Sequence, residues 1–385
     1  MTDRQLFIIM ESFRLFRETE KKMDKKTPKY MEIVNWINAQ ISEGKIIPGQ
    51  KMYSENELSA MFGLSRQTVR HAIGVLEKTG VVTRRRGSGT YIKDRRKRNA
   101  RDSKRIALIM TYVDGYIFPR TIRSIENVLF ENGYSVQIYF TNNRIDRERG
   151  ILEELLKRNE VAGIIAEATK SGIPNPDLDL YHKIMQANIP LLFLNGFYEK
   201  LDAPYVSMND TMAGKVATNL LIKKGHRNIA GMFKLDDIQG HKRYSGFMEA
   251  IHEAGLICRD HNIIWYDTDD IADLDLIKEK ILKRIKGCTA LVVYNDEVAY
   301  ALVHLFEKMG IRIPDDLSIV SIDDSELAVM GNVRLSSVPY PMERLGEKAV
   351  KNILEMINNP EFDGKYEFDV FAVDRESVKN ISKKG

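Results

Sequence analysis

The chain has 385 residues, 43% of them hydrophobic and 29% charged, with a net charge of +4. That length predicts two or three domains, and that apolar content is enough to build cores, which excludes long disorder. No apolar run reaches the ~20 residues that span a bilayer, no small-residue cleavage site follows the first apolar patch, and two cysteines, Cys258 and Cys288, cannot make a disulfide framework or a Cys-rich metal site; the cytoplasm is the expected compartment.

The charge is uneven. Residues 1–105 hold 24 Lys+Arg against 12 Asp+Glu, and the other 280 residues hold 34 against 42. A basic first quarter fits a polyanion-binding module, and equally a solvated basic segment; the pattern inside it decides. Residues 1–27 read as an extension outside the fold. The rival reading is a short amphipathic helix carrying Leu6, Phe7, Ile9, Met10 and Phe13.

Over residues 30–43, Tyr30, Ile33, Val34, Ile37 and Ile41 recur at helical spacing and predict an amphipathic helix. Gly44 stops it, and a turn forms around Pro48 and Gly49. Ser54 and Glu57 stand at capping-box spacing, so a short helix starts there, buries Leu58, Met61 and Phe62, and ends at Gly63. Ser65 caps the next helix, whose inner face is Val69, Ala72, Ile73 and Leu76. Its outer face carries Arg66, Gln67, Arg70 and His71, with Thr68 in the same first turn. Arg can fork onto guanine and Gln onto adenine in the major groove. Val81–Thr83 and Thr90–Ile92 predict a hairpin, with Arg84, Arg85 and Arg86 in its stem and Gly87, Ser88 and Gly89 at its tip. A basic stem with a side-chain-poor tip suits the minor groove.

Each piece alone is as often plain core or solvated surface. In this order they make a winged helix-turn-helix. The runs PKYMEIVNWI, IIPGQKMYSENELSAMFGLSRQTVRHAIGVLEKTGVV and RRRGSGTYI resemble the GntR family of bacterial repressors over residues 28–92. That resemblance implies double-stranded operator DNA as partner. Asn56 stands where the family often places Arg. Pattern and resemblance nominate Ser65, Arg66, Gln67, Thr68, Arg70, Arg86, Gly87, Ser88 and Gly89 as the DNA-facing residues.

Residues 93–105 hold eight basic and two acidic residues without apolar periodicity, and read as a linker. From 106 to 385 the texture changes. Strand-like runs such as RIALIMTYV, VAGIIAEAT, PLLFLNG, TALVVYN and LSIVSID alternate with amphipathic stretches, which predicts βαβ units and parallel sheets. About 280 residues is large for one such sheet, so two similar lobes are expected. The fold class is therefore α/β, a winged helix-turn-helix followed by a two-lobed α/β sensor. No P-loop, GxGxxG, HExxH or GxSxG motif is present, so no catalysis and no cofactor or metal are expected.

In open α/β sheets, ligands bind outside the carboxyl ends of strands. Those ends carry Tyr112, Phe118, Asn142, Asn143, Glu167, Lys170, Asn195, Asn295, Asp296, Asp323 and Asp324, and Arg243 lies on a turn opening a later helix. Carboxylates, amides, an Arg and aromatics together suit a sugar, whose hydroxyls both donate and accept. Asp296 and Asp324 serve equally well as helix caps. The pattern alone supports a small polar ligand. The segments YIFPRTIRSIE, KGHRNIAGMF, QGHKRYSGF, VVYNDEVAYAL, IPDDLSIVSIDDS and LSSVPYP resemble the LacI/GalR regulators and related periplasmic sugar-binding proteins, over nearly all of 106–378. That resemblance implies a periplasmic-binding-protein-like sensor in which Arg243, Asp323, Asn195 and Asn295 hold sugar hydroxyls. Phe118 and Glu167 complete the expected contacts, with Tyr198 and Lys170 as further candidates. A GntR-type head on a LacI-type sensor is similar to the repressors of arabinose genes. This implies a homodimer released from DNA by L-arabinose. Another monosaccharide or a nucleoside remains the alternative effector.

Overall fold

Local capping chemistry sets the helices of the first unit. The structure, a computed structural model, describes residues 28–42, 45–47, 49–85, 88–92, 103–113 and 116–382. The expectations for residues 1–27, Gly44, Pro48, Arg86, Gly87 and 93–102 lie outside the described residues. The chain divides into two units, Met1–Asn99 and Ala100–Gly385. In the first, helices α1 (Lys29–Ser42), α2 (Glu55–Phe62) and α3 (Arg66–Lys78) pack together. The Ser54 N–H donates to Glu57 Oε2 at 2.7 Å and the Glu57 N–H to Ser54 Oγ at 3.2 Å, closing the capping box that starts α2. Gly63, at φ 63°, ends it. Ile33, Ile37, Leu58, Val69, Ile73 and Leu76 form the core. Trp36, absent from the predicted stripe, is buried there between Tyr53 and Phe62. Strands β1 (Val82–Arg85) and β2 (Gly89–Ile92) make the wing, with Val82 opposite Ile92. Residues 49–52 extend it: the Met52 N–H donates to Thr90 O at 2.8 Å and the Ile92 N–H to Gln50 O at 2.9 Å.

The second unit holds two parallel sheets. The first lobe carries strands β3 (Arg105–Met110), β4 (Ser135–Phe140), β5 (Gly163–Ala166), β6 (Leu191–Leu194), β7 (Tyr205–Met208) and β13 (Tyr366–Phe368). Their order is β13-β7-β6-β5-β3-β4. The second lobe carries β8 (Ile229–Lys234), β9 (Ile263–Tyr266), β10 (Ala290–Val293), β11 (Ser318–Asp323) and β12 (Ser336–Pro339), ordered β12-β11-β10-β8-β9. Every residue of β5, β6 and β10 is buried. This is why these strands show as unbroken apolar runs rather than alternation.

The chain crosses between lobes three times. It leaves β7 for helix α7 (Asp210–Lys223) and returns from β12 into α12 (Met342–Asn358). It leaves again after β13, where Val373 and Ser337 exchange bonds of 2.8 and 3.0 Å beside β12. Late sequence therefore completes the first lobe, α12 packing on α4 (Phe118–Glu131); α5 (Ile145–Arg158) and α6 (Leu178–Gln186) are the other helices of that lobe, and α9 (Lys278–Ile285) and α11 (Leu327–Met330) belong to the second. All crossings lie toward the β13/β7 and β12 edges. Strands β4 and β9 lie at the opposite edges. In the second lobe, α7 lies against α8 (Ile238–Glu253) at backbone distance. A Cβ on Gly246 would fall 1.7 Å from Thr211 O, and one on Gly214 would fall 2.0 Å from Arg243 O. Only glycine permits that crossing, and the crossing brings the start of α7 to Arg243.

Candidate effector cleft and DNA-reading face

The strand ends of the two lobes face each other across a cleft of about 90 Å³. From the first lobe it is lined by Thr111, Tyr112, Tyr116, Phe118, Asn143, Glu167, Ser171 and Asn195. From the second it is lined by Lys234, Asp237, Gln239, Arg243, Tyr294, Asn295, Glu297 and Asp323. Tyr116, Asn143, Asn195 and Asp323 hold positive φ angles, strained turns of the kind that cluster where loops build a site.

Buried hydrogen bonds fix the polar groups. Glu167 Oε1 accepts from Asn195 Nδ2 at 2.7 Å, and its Oε2 accepts from the Thr111 N–H at 3.0 Å and from the Thr111 hydroxyl. Asn195 Oδ1 in turn accepts from Gln239 Nε2 at 2.8 Å and from the Tyr340 hydroxyl at 2.9 Å. Arg243 donates from Nε to Asp210 Oδ1 at 2.8 Å, from Nη1 to Tyr294 O at 2.6 Å and from Nη2 to Asp323 Oδ1 at 3.4 Å. The Tyr116 hydroxyl crosses between lobes and donates to Asp323 Oδ2 at 2.6 Å.

Burial raises the pKa of Glu167 and of Asp323, and lifts Asp210 to about 6 against the pull of Arg243. Burial also opposes the charge on Arg243, but Asp210 and Asp323 more than restore it. Lys234 is held 2.8 Å from Asp237. Both cations of the lining are thus paired, while the carboxylates Glu167, Asp237, Glu297 and Asp323 outnumber them. Such a site accepts hydroxyl donors and opposes an anionic ligand.

The structure brings Phe118, Glu167, Asn195, Arg243, Asn295 and Asp323 together in the lining, as it does Tyr112 and Asn143. Arg243 sits within α8 rather than on the turn that opens it. Asn295 caps α10 (Asp296–Lys308), its Oδ1 accepting from the Val298 N–H at 3.0 Å. Tyr198 is placed elsewhere. Its hydroxyl meets Glu148 Oε1 at 2.8 Å and Asn175 Nδ2 at 2.7 Å inside the first lobe. Lys170 lies beside the cleft, with Nζ 3.8 Å from Asp236 Oδ2. Asn142 is exposed, and Asp324 pairs with Arg375 at 2.6 Å. Asp296 accepts from the Ser321 and Ser337 hydroxyls at 2.5 and 2.7 Å and ties strand ends together.

Sequence reasoning passed over Thr111, Tyr116, Lys234, Asp237, Gln239, Tyr294 and Glu297. Lys234, Asp237 and Gln239 carried a signal, standing in KLDDIQ directly after a strand-like run. Tyr116 opens the segment YIFPRTIRSIE, but its reach across the cleft depends on a left-handed turn at φ 57° that no local pattern gives.

In the head, Arg66 and Gln67 are exposed on the first turn of α3. The Ser65 and Thr68 hydroxyls meet at 2.9 Å and build the cap, with the Thr68 N–H donating to Ser65 Oγ at 3.2 Å. Arg70 is 64% exposed but pairs with Glu55 at 3.0 Å. His71 packs edge-on against Tyr30 at 4.4 Å rather than standing free on the outer face. In the wing, Ser88 Oγ meets the Tyr91 hydroxyl at 2.7 Å, and Gly89 holds φ 118° against Lys51. Among the described residues, no group of His, Cys, Asp and Glu could hold a metal ion, and no helix is long and apolar enough to cross a membrane.

Residues 29–92 match the bacterial regulatory proteins of the gntR family, and residues 218–378 match the periplasmic binding protein-like domain. An arabinose metabolism transcriptional repressor from Halalkalibacterium halodurans is 38% identical over 341 residues, 87% of this chain and 91% of that protein. The chain belongs to this repressor family. A second member, from Geobacillus stearothermophilus, is 35% identical over 364 residues, 93% of this chain and all of that protein. The crystal structure of the transcription regulator CcpA of Lactococcus lactis superposes with a TM-score of 0.64 at 21% identity, over 72% of this chain and all of that one, and supports the fold alone. A repressor of this family has two kinds of ligand, operator DNA for the head and a sugar for the sensor. It is a transcriptional regulator and not an enzyme.

Proposed function

We propose that this protein is a homodimeric cytoplasmic repressor that holds operator DNA through its two heads and releases it on binding L-arabinose. The observation that carries the reading is the charge arrangement of the cleft, where both lining cations are paired and carboxylates and amides remain in excess. A neutral polyol satisfies such groups, since each hydroxyl donates to a carboxylate and accepts from an amide. The Tyr112 and Phe118 rings, 6.2 Å apart, offer faces to the C–H side of a sugar. The similarity to arabinose metabolism repressors supports L-arabinose among neutral sugars.

In this reading Phe118, Glu167, Asn195, Arg243, Asn295 and Asp323 hold the sugar. Arg66, Gln67 and Arg70 read base edges from α3, and the Arg86–Gly89 tip enters the minor groove. Sugar closes the two lobes and favours a dimer that no longer fits the two half-sites. Moving occupancy from 99:1 to 1:99 needs a preference of ~5.5 kcal/mol in total, shared by two sugars per dimer. Calorimetric titration of the full chain with L-arabinose, D-xylose, D-ribose and D-galactose tests the effector. Heat from L-arabinose alone is expected. Heat from a different sugar only would replace the effector and keep the mechanism.

A further inference from the structure

We infer that the loop Lys170–Ile173 is a latch that locks the cleft closed at its mouth, and that Gly172 is glycine because the opposite lobe leaves no room for a side chain. The inference rests on the proposed sugar-driven closure. The lobes are joined by crossings at one edge, near β7, β13 and β12. The latch lies toward the other edge, beside the ends of β4 and β9. There the Gly172 N–H donates to Asp236 O at 3.0 Å, and the Ile238 N–H donates to Ser171 Oγ at 3.1 Å. Asn143 Nδ2 reaches Thr268 Oγ1 at 2.8 Å, and that hydroxyl donates to Asp236 Oδ2 at 2.7 Å. Lys170 adds its charge 3.8 Å from the same carboxylate. The contacts of Gly172, Ser171, Asn143 and Lys170 join the first lobe to the second, so opening the cleft breaks them, while the Thr268–Asp236 bond braces their second-lobe partner.

A Cβ on Gly172 would fall 2.5 Å from Leu235 O and 2.8 Å from Asp237 N. Both are backbone atoms of the second lobe, which cannot swing aside. Gly172 does not hold a positive φ, so its own conformation does not call for glycine. The requirement therefore arises only when the lobes meet. Nor can the loop withdraw. Glu148, fully buried behind it, accepts from the Thr169 N–H at 3.3 Å, from Asn175 Nδ2 at 2.8 Å and from the Tyr181 hydroxyl at 2.7 Å. The Lys170 N–H is held by Asn143 Oδ1 at 2.9 Å. A side chain at position 172 thus opposes closure and leaves the open form untouched. The same geometry gives Lys170 and Tyr198 a place: they support the latch from outside and behind rather than touching sugar.

The test titrates the full chain, Gly172→Ala and Thr268→Val with the same sugar panel, and follows thermal melting and operator affinity without sugar. Thr268→Val keeps the shape and removes the hydroxyl that links Asn143 to Asp236. The latch predicts that Gly172→Ala weakens L-arabinose binding by about tenfold or more and Thr268→Val by about threefold or more, with sugar-free melting and operator affinity unchanged. Equal sugar affinity in Gly172→Ala and the parent would overturn the latch and leave the effector standing. A loss of affinity in Gly172→Ala matched by a drop in sugar-free melting, with Thr268→Val at parent affinity, would also overturn it. Parent heat from another sugar alone overturns the arabinose reading, and the latch is then judged on that sugar. Silence of the parent across the panel overturns both.

Discussion

Arg243 is 1% exposed and lies between Asp210 and Asp323, so it is the shared counter-charge of two buried carboxylates. Its removal does more than delete one residue of the proposed sugar site. Arg243→Ala leaves both acids buried without a counter-charge, which costs about 3–5 kcal/mol; chemical denaturation of parent and variant measures it. Asp296 gives a pH-dependent counterpart. Burial, reinforced by the nearby Asp323 charge, lifts its pKa to about 7, against roughly 4 in the unfolded chain. Between those values the folded protein holds a proton that the unfolded chain has lost. Stability from this group is therefore present at the acidic end and disappears as pH rises through 7. Asp296→Asn, uncharged throughout, is expected to gain on the parent in melting temperature between pH 5.5 and pH 8. Comparing the two at each pH cancels the opposite trend from buried His226, whose pKa burial lowers. A difference that stays constant across that range would remove Asp296 from the titrating groups. At this scale the sequence showed the residue types but not their partners. Asn195 and Tyr198 stand three positions apart, yet one lines the cleft and the other turns inward to Glu148. That choice is made by packing around Tyr181 and Phe193, which no local pattern records.

Among the described residues, helix α3 presents Arg66 and Gln67 exposed on its first turn, while Arg70 is tied to Glu55 at the start of α2. In the proposed base-reading role, DNA would compete with Glu55 for that guanidinium. Arg70→Ala is expected to weaken the operator complex roughly tenfold or more while leaving binding to random DNA less affected. Equal losses on both DNAs, measured by fluorescence anisotropy, would mark Arg70 as a phosphate contact. The helices of the head were legible because caps and apolar spacing are local signals: Ser54, Glu57 and Gly63 do what their spacing predicts. The α7–α8 crossing was not, although it positions Arg243 over Asp210. Gly214 and Gly246 look like weak points of helices until the second helix is in place. Likewise α12 completes the first lobe from the far end of the chain, because strand β13 pairs beside β7 and not beside its sequence neighbours.

Across the whole molecule, alternation of strand and helix was enough to read two parallel-sheet lobes following the winged helix-turn-helix in the sequence. Where the chain crosses between them was not, since the crossings follow from pairings such as Tyr366 with Val206, 160 positions apart. The excess of basic residues in the first 105 positions, against an acidic remainder, puts the positive charge of the chain in and around the DNA-binding segment. Operator affinity should therefore fall steeply with salt, in proportion to the phosphates neutralised, while sugar binding in a cleft of paired charges should change little. Parallel titrations from 50 to 200 mM salt check both slopes. The cleft's surplus of carboxylate further predicts that a pentose 5-phosphate will not compete for the sugar site. The most direct test of the whole account is operator release. A labelled duplex selected by the protein from random sequence is bound to the full chain, and its anisotropy is followed as L-arabinose is added. The account predicts release that saturates with L-arabinose and is absent with D-xylose or D-galactose. A complex that stays intact, or tightens, at saturating L-arabinose would contradict it.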